Sequence, residues 1–460
     1  MNTNMTKLFI EKALYPMMES RKGNRVRQYY KELQASQHFD SQKLRELQRT
    51  RLETLLLTAV KSVPAYKNML TETSIRDDPF SALQQIPVLK KNDFRTDPAR
   101  YLNVDYPKNQ LIPNKTGGST GEPLSFYMDR YAVEHYEAAR WRGLSWYGIT
   151  FGSRSIMVWG NPLELDTAQQ RKNRLKDHFL KNRTVIPAYA LTEDKILEYI
   201  RLINRYQPEY IYGYASALDS FSQLVRRHKD KLTLTGLKAV VSTSETLYDS
   251  QRENIKAVFD HCAKNGNCPV VNEYGARDAG ILAYSCPSDH LHITSENVII
   301  EVIDPITQKP VAPGQSGMVV TTDLNNLAMP RLRWALGDRA TLSPESGMCD
   351  CGCTLPLIRS LDGREDVMFK LPNGTLVHGH AVSQLTRKYK SIIQFQMIQT
   401  DLEHGILRIV HDHTAPHELP AYTQDVRDIL SGVEIEVLEV DHLEPSASGK
   451  FRYTIRQFPL

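Results

Sequence analysis

The sequence predicts a multi-domain α/β protein: a large N-terminal α/β domain with mixed sheets and a β-rich subdomain, then a small C-terminal α+β domain. Three observations predict it. With 460 residues the chain has room for two or three cores, at about 150 residues each. From residue 114 onward, short β-rich runs alternate with helical periods, the pattern that gives a parallel or mixed sheet with helices on both faces. After residue 297 the pattern changes to strands joined by turns, and after Gly363 a second unit opens on a hairpin signal. The expected domains are therefore 1–362, with a helical arm over 1–70, and 363–460.

In chain order, Leu8, Phe9, Ala13, Leu14 and Met17, then Leu52, Leu55, Leu56 and Val60, recur at helical spacing, so the arm is helical. Residues 71–105, with Pro79, Pro87 and Pro98, read as a linker holding a short helix. Strand-like runs at 155–159, 238–242 and 269–273 alternate with helical periods at 131–146, 193–206, 216–228 and 250–261. Pro313, Gly314, Gln315, Ser316 and Gly317 mark the clearest turn of the β-rich stretch. Pro372-Asn373-Gly374 joins the strands of the hairpin that opens the C-terminal unit, and a helix and further strands follow to Val440.

Composition excludes several function classes. A formal charge of +4 on this length argues against nucleic-acid binding, which needs a broad phosphate-neutralising surface. No run approaches the ~20 apolar residues of a membrane span, and residues 1–8 lack the pattern of a secretory signal, so a cytoplasmic location is expected. The charge is uneven. Residues 1–60 carry 11 Lys+Arg against 6 Asp+Glu. The excess is read as the solvated outer face of the helices, with a surface for an anionic partner or membrane as the alternative. Six cysteines are too few for a disulfide scaffold, but Cys286, Cys349, Cys351 and Cys353 cluster with His292, and soft thiolates plus an imidazole suit tetrahedral Zn²⁺.

The segment Asn114-Lys115-Thr116-Gly117-Gly118-Ser119-Thr120-Gly121-Glu122-Pro123-Leu124 is a candidate phosphate cradle, because its glycines admit close backbone approach and its hydroxyls donate to phosphate oxygens. No Gly-Lys-Ser/Thr follows, so it is not a Walker loop. Further along come Asn272-Glu273-Tyr274-Gly275-Ala276-Arg277-Asp278, then Thr322-Asp323-Leu324 with Arg333 and Gly337-Asp338-Arg339, then Asp362-Gly363-Arg364-Glu365-Asp366, and finally Ser448-Gly449-Lys450-Phe451-Arg452. This ordered series resembles the adenylate-forming superfamily of acyl-CoA synthetases, adenylation domains and luciferases. With Tyr212-Gly213-Tyr214-Ala215 and the cysteine cluster, it is most similar to the phenylacetate–CoA ligase-like branch, including the adenylating proteins of capsular-polysaccharide loci. The resemblance runs from about Leu55 to Arg452.

The resemblance implies an ATP-dependent, AMP-forming ligase that activates a carboxylic acid as its acyl-adenylate, then transfers the acyl group to coenzyme A. Two alternatives stand beside it: transfer to an amine of a sugar or amino acid, and a catalytically silent nucleotide-binding relative. By the same resemblance Thr116, Gly117, Gly118, Ser119, Thr120 and Gly121 would hold the ATP phosphates. Ser244, Glu245, Glu273, Tyr274, Gly275, Ala276 and Arg277 would border the nucleotide, Asp338 would take the ribose, and Arg364 would lie near ribose and phosphate. Asp278 would help bind Mg²⁺, although the family usually has Glu there. Asp366 would be the hinge of a mobile C-terminal domain that carries Lys450. A mobile ammonium is chemically apt, since a carboxylate attacking the α-phosphorus brings two anions together.

Trp141, Tyr212, Gly213 and Tyr214 are expected to shape the acyl pocket. The branch often carries a structural zinc, which assigns Cys286, His292, Cys349 and Cys351 as its ligands and gives Cys353 no ligand role. Cys262 and Cys268 read as bystanders. His411, Asp412, His413 and His417 read as a polar turn, while His378 and His380 lie where the branch approaches the acceptor thiol. The expected partners are ATP, a small carboxylic acid and a thiol or amine acceptor, and the sequence is compatible with a homodimer.

Overall fold

The computed structural model describes residues 3–116, 124–159, 177, 180–344, 349–364, 368–385, 388–389, 391–412, 418–444 and 452–458. The helical arm is α1 (Thr3–Phe9) and α2 (Tyr15–Lys22), joined by a π-turn over Ile10–Leu14, then α3 (Val26–Ser36) and α4 (Ser41–Ser62). Asp40 starts α4 by accepting from Lys43 N, the role of a short acidic side chain at a helix N-terminus. The stretch expected as a linker instead folds into three short helices, α5 (Glu72–Asp77), α6 (Pro79–Gln85) and α7 (Lys91–Thr96). Its prolines explain the difference. Pro79 and Pro98 open α6 and a 3₁₀ turn (Pro98–Tyr101), and Pro87 lies between α6 and α7, positions where proline costs no hydrogen bond.

A hairpin follows, β1 (Ile112–Lys115) with β2 (Ser125–Met128). Next come α8 (Arg130–Ser145), β3 (Ser155–Trp159), β4 (Arg183–Pro187), α9 (Glu193–Tyr206), β5 (Tyr210–Tyr214), α10 (Ala215–Arg226), β6 (Ala239–Thr243), α11 (Asp249–Phe259) and β7 (Val270–Ala276). These strands pair in parallel in the order β4-β3-β5-β6-β7. Every residue of β5 and β6 is buried, as expected of strands covered on both faces. Helix α8 lies so close to the sheet that a Cβ on Gly143 would come within 2.3 Å of the Tyr284 ring.

The β-rich stretch forms the antiparallel half of the same sheet. Strands β8 (Gly280–Ser285), β9 (Leu291–Ile293), β10 (Val298–Ile303), β11 (Ser316–Asp323), β12 (Trp334–Leu342) and β13 (Leu357–Arg364) extend it beyond β7 in the order β7-β8-β9-β13-β12-β11-β10, eleven strands in all. The C-terminal unit has the ladder β14 (Met368–Lys370) with β15 (Leu376–His378), then α12 (His380–Leu385), β16 (Ile392–Gln399), β17 (His404–His411), α13 (Leu419–Ile429), β18 (Glu434–Glu439) and β19 (Thr454–Arg456). Its sheet has the order β18-β17-β16-β19 and packs α13 through Tyr422 and Val426 into a separate core. Among the described residues, no helix is long and apolar enough to cross a membrane.

Candidate active site

In an open parallel sheet, ligands collect outside the carboxyl ends of strands where the strand order reverses. Here that point lies between β3 and β5, since β3 has β4 on one side and β5 on the other. Trp159 ends β3, Tyr214 ends β5, and their rings stack at 4.0 Å. Tyr212 sits two residues back on β5, and its hydroxyl donates to Glu273 Oε1 at 2.6 Å. Thr243 Oγ1 donates to the same oxygen at 3.1 Å, and Arg140 on α8 reaches the carboxylate through Nε and Nη2 at 3.2 and 3.3 Å. Glu273 is 2 % exposed, so this polar network is buried. Gly213 is required between the two tyrosines, because a Cβ there would meet the Val158 carbonyl at 2.8 Å. Trp141 packs against Phe151 and donates to Glu137 Oε1 in the layer beneath.

Three residues expected at the nucleotide meet from three strands. Tyr274 on β7 donates its hydroxyl to Asp338 Oδ2 at 2.9 Å, and Arg364 on β13 lies 3.5 Å from Asp338 Oδ1, opposite it in register. Arg277 Nη1 donates to the Lys115 carbonyl at the end of β1, at 3.3 Å, and so ties the Tyr-Gly segment to the β1–β2 hairpin. Thr116 and Leu124 close that hairpin: Thr116 N donates to the Leu124 carbonyl and Leu124 N to Thr116 Oγ1, each at 2.9 Å. Gly117, Gly118, Ser119, Thr120 and Gly121 lie outside the described residues, as do Asp366 and Lys450.

Asp278 is buried at the turn between β7 and β8. Its Oδ2 accepts from Trp334 Nε1 at 2.9 Å, and its carbonyl accepts from Arg331 Nε at 2.9 Å. At the end of β6, Ser244 takes a left-handed conformation, φ +67°, and Glu245 Oε2 accepts from Ser216 N at the start of α10. A cleft of about 1180 Å³ opens beside α11, between the large sheet and the C-terminal unit; Arg252, Arg339, Arg359 and Asp362 line it with Met368 and Ala381.

The ligand atoms of Cys286, His292, Cys349 and Cys351 all lie within 4.8 Å of one another. Two tight turns present them, one through Asp289 at φ +60° and one through Gly352 at φ +82°. His292 Nδ1 bonds the Leu355 carbonyl at 3.0 Å and therefore holds the proton, leaving the Nε2 lone pair directed at Cys351 Sγ, 3.4 Å away. Burial pushes the imidazole down to about 4, so it is neutral, as a ligand must be. Burial opposes the Cys349 thiolate, but the Cys351 amide and His290 outweigh it and hold that thiol below the ordinary cysteine value. Three soft sulfur donors and one neutral imidazole fit Zn²⁺. Cys353 turns away into a small core with Leu44 and Leu355. Cys262 and Cys268 are buried between α11 and the sheet. His411 is buried at the end of β17, whereas His413 and His417 lie outside the described residues, as do the side chains of His378 and His380.

Arg140, Thr243 and His290 escaped the reading of the sequence. Arg140 lies 133 positions from the carboxylate it pairs with, so spacing carries no signal for it. His290, two residues before His292, had the signal of proximity to the cysteine cluster, and its Nδ1 lies 3.1 Å from Cys349 Sγ.

Residues 369–457 match the family model described as the CapK C-terminal domain. Among curated relatives, Protein CapK of Staphylococcus aureus is 22 % identical over 392 residues, covering 85 % of this chain and 83 % of the relative. The phenylacetate-coenzyme A ligase of Thermus thermophilus is 24 % identical over 411 residues, covering 87 % of each. Among solved structures, 2-hydroxyisobutyryl-CoA ligase in its postadenylation state with R3-HIB-AMP overlays with a TM-score of 0.70 at 16 % identity, covering 92 % of this chain and 91 % of that one. The same enzyme with 2-HIB-AMP and CoA in the thioesterification state gives 0.58, covering 92 % of each chain. These likenesses establish the fold.

Proposed function

Because the chain is a member of the adenylate-forming superfamily, in the phenylacetate–CoA ligase-like branch that includes CapK, we propose that it joins a polar carboxylic acid to ATP as an acyl-adenylate and passes the acyl group to coenzyme A. The observation that carries this reading is the convergence of Tyr274, Asp338 and Arg364 beside a hairpin that Arg277 ties to the same strand. Asp338 would accept the ribose hydroxyls, and Arg364 would orient its carboxylate. The backbone of residues 116–121 would hold the phosphates. Lys450 would bridge the attacking carboxylate and the α-phosphate, reducing their repulsion as the new bond forms. Mg²⁺, when bound, supplies charge neutralisation at the phosphates; Asp278 would offer the oxygen that Trp334 does not engage. The Cys286, His292, Cys349 and Cys351 set would hold Zn²⁺ as a structural ion, since four protein ligands leave no open position for chemistry.

The acid is polar because Tyr212, beside Trp159 and Tyr214, belongs to an ionic network with Glu273 and Arg140. An apolar ring seated there would take water from the partly exposed Arg140 guanidinium without offering it an acceptor, whereas a hydroxyl substituent would offer one. Arg252, Arg339 and Arg359 line the interdomain cleft together with Asp249, Asp289, Asp350 and Asp362, and these guanidiniums are the groups that would meet the phosphates of coenzyme A. A second reading, transfer to an amine, stands beside it, and residues 369–457, the part that would meet the acceptor, match the CapK C-terminal domain.

The test is acid-dependent exchange of labelled pyrophosphate into ATP over a panel of acids. Exchange is expected with hydroxy- or amino-substituted acids and weak with phenylacetate, and Lys450→Ala should lower it about a hundredfold or more while ATP still binds. Absence of exchange with every acid would favour a silent nucleotide-binding relative. Mass spectrometry of products formed with coenzyme A or with amines then separates the two acceptors.

A further inference from the structure

We propose that the outer face of the N-terminal helical segment is a docking surface for an anionic phospholipid bilayer. Helices α1 and α2 and the π-turn between them form one continuous helical rod of about 30 Å, ended by Gly23 in the left-handed conformation. Its inner face is fully engaged. Lys7 pairs with Glu209 at 2.6 Å, Thr150 Oγ1 donates to Glu11 at 3.0 Å, and the Lys7 carbonyl lies so close to Gly152 that a Cβ there would approach it to 2.3 Å. The rod is therefore held on the protein and does not need its other face for folding.

That other face is apolar. Met5, Leu8, Phe9 and Met17 are 59, 57, 55 and 61 % exposed. Leu8 and Phe9 each lie three or four residues from both Met5 and Lys12, which places the four on one side of the helix. Met17 comes five residues after Lys12, and the π-turn absorbs the extra residue and keeps it on that side. The other large apolar side chains exposed among the described residues are Met69, Val104, Ile306 and Leu402, far apart along the chain, and Tyr127, Tyr131 and Val133, each 39 % exposed or less. Four on one rod are a surface with a use.

The charge on the rod selects the partner. Residues 1–31 carry seven Lys and Arg against two Glu. Both glutamates are already engaged, Glu11 by Thr150 and Lys12, and Glu19 by Arg27. Lys12, Arg21 and Lys22 are exposed beside the apolar stripe. A second copy of the chain would set this positive face against itself in a two-fold contact, which repulsion disfavours. Nucleic acid would meet the cations but leave the methionines and Phe9 in water. A bilayer with anionic headgroups satisfies both, since it takes apolar side chains at the acyl boundary and cations at the phosphates.

The test is co-sedimentation of the whole protein with vesicles of phosphatidylcholine alone and of phosphatidylcholine mixed with phosphatidylglycerol. Binding is expected only to the anionic vesicles, and high salt should weaken it. Leu8→Asp with Phe9→Asp, and separately Lys12→Glu with Arg21→Glu, should each weaken it about tenfold or more at unchanged melting temperature. A Phe9→Trp variant should show a blue shift of its emission on adding anionic vesicles. No binding of the wild-type protein would overturn the proposal, as would binding without that shift. So would a dimer, seen by sedimentation velocity, that Leu8→Asp dissolves in a protein that ignores vesicles.

Discussion

Asp219 shows how one buried side chain makes the protein sensitive to pH. It lies on α10, 5 % exposed, and accepts from Asn254 and Gln223. Burial dominates and pushes its carboxyl up to about 6. The sign follows from linkage. The folded state holds this proton more tightly than the unfolded chain, whose aspartate titrates near 4, so Asp219 favours folding at low pH and loses that contribution as pH rises from about 4 to 6. A shift of this size corresponds to roughly 2–3 kcal/mol. Asp219→Asn should remove the slope, so that urea midpoints show the variant gaining on the wild type between about pH 3.5 and 7, values that bracket this transition. A constant difference between the two across that range would exclude Asp219 as the source. Nothing in the sequence marks this residue, because it titrates through the depth at which α10 and α11 pack. For the same reason Arg140 escapes a sequence reading, whereas Tyr274 and Asp338, carried by local motifs, do not.

At the scale of elements, the cysteine turns bind more than each other. Thr354, three residues beyond Cys351, donates through N and Oγ1 to the Gln37 carbonyl and through Oγ1 to that of Phe39, while His38 Nδ1 reaches the Gly352 carbonyl at 2.9 Å. Gln37 in turn accepts from Trp146 Nε1 at the end of α8. The connection between α3 and α4 is therefore fastened to the metal turns, and a zinc ion there would staple the arm to the sheet. Removing it with a chelator, or by Cys351→Ser, should lower the melting temperature by roughly 5 °C or more and speed amide exchange across residues 37–44. Well under one zinc per chain on elemental analysis, or unchanged exchange there after chelation, would remove the staple. The spacing of these cysteines was legible in the sequence because turns are local. The arm they fasten was legible as helices but not as a docked unit, since its contacts with Thr354 and Glu296 span more than two hundred residues.

For the whole molecule, a ligase that runs two reactions in one site needs its C-terminal unit to hold two positions, each stabilised by contacts of its own. The chain overlays better on the postadenylation state of 2-hydroxyisobutyryl-CoA ligase than on its thioesterification state, at TM-scores of 0.70 and 0.58. In this arrangement one side chain of the C-terminal unit reaches the N-terminus of α11. Tyr453 packs between Phe395 at 5.5 Å and Tyr248 at 6.2 Å, and its hydroxyl accepts from Gln251 Nε2 at 3.3 Å, while Gln251 Oε1 accepts from Tyr248 N and caps the helix. Tyr453 lies three residues after Lys450 and directly before β19, so it fixes the strand from which the lysine segment departs. Under the proposed function, Tyr453→Ala should lower pyrophosphate exchange about ten- to a hundredfold while leaving acyl transfer from a supplied adenylate within about twofold, because only the first reaction uses this arrangement. Tyr453→Phe, which keeps the ring packing, should recover most of the exchange. Equal loss of both half-reactions would mean that Tyr453 merely supports the fold, and loss of neither would mean that the arrangement is held elsewhere.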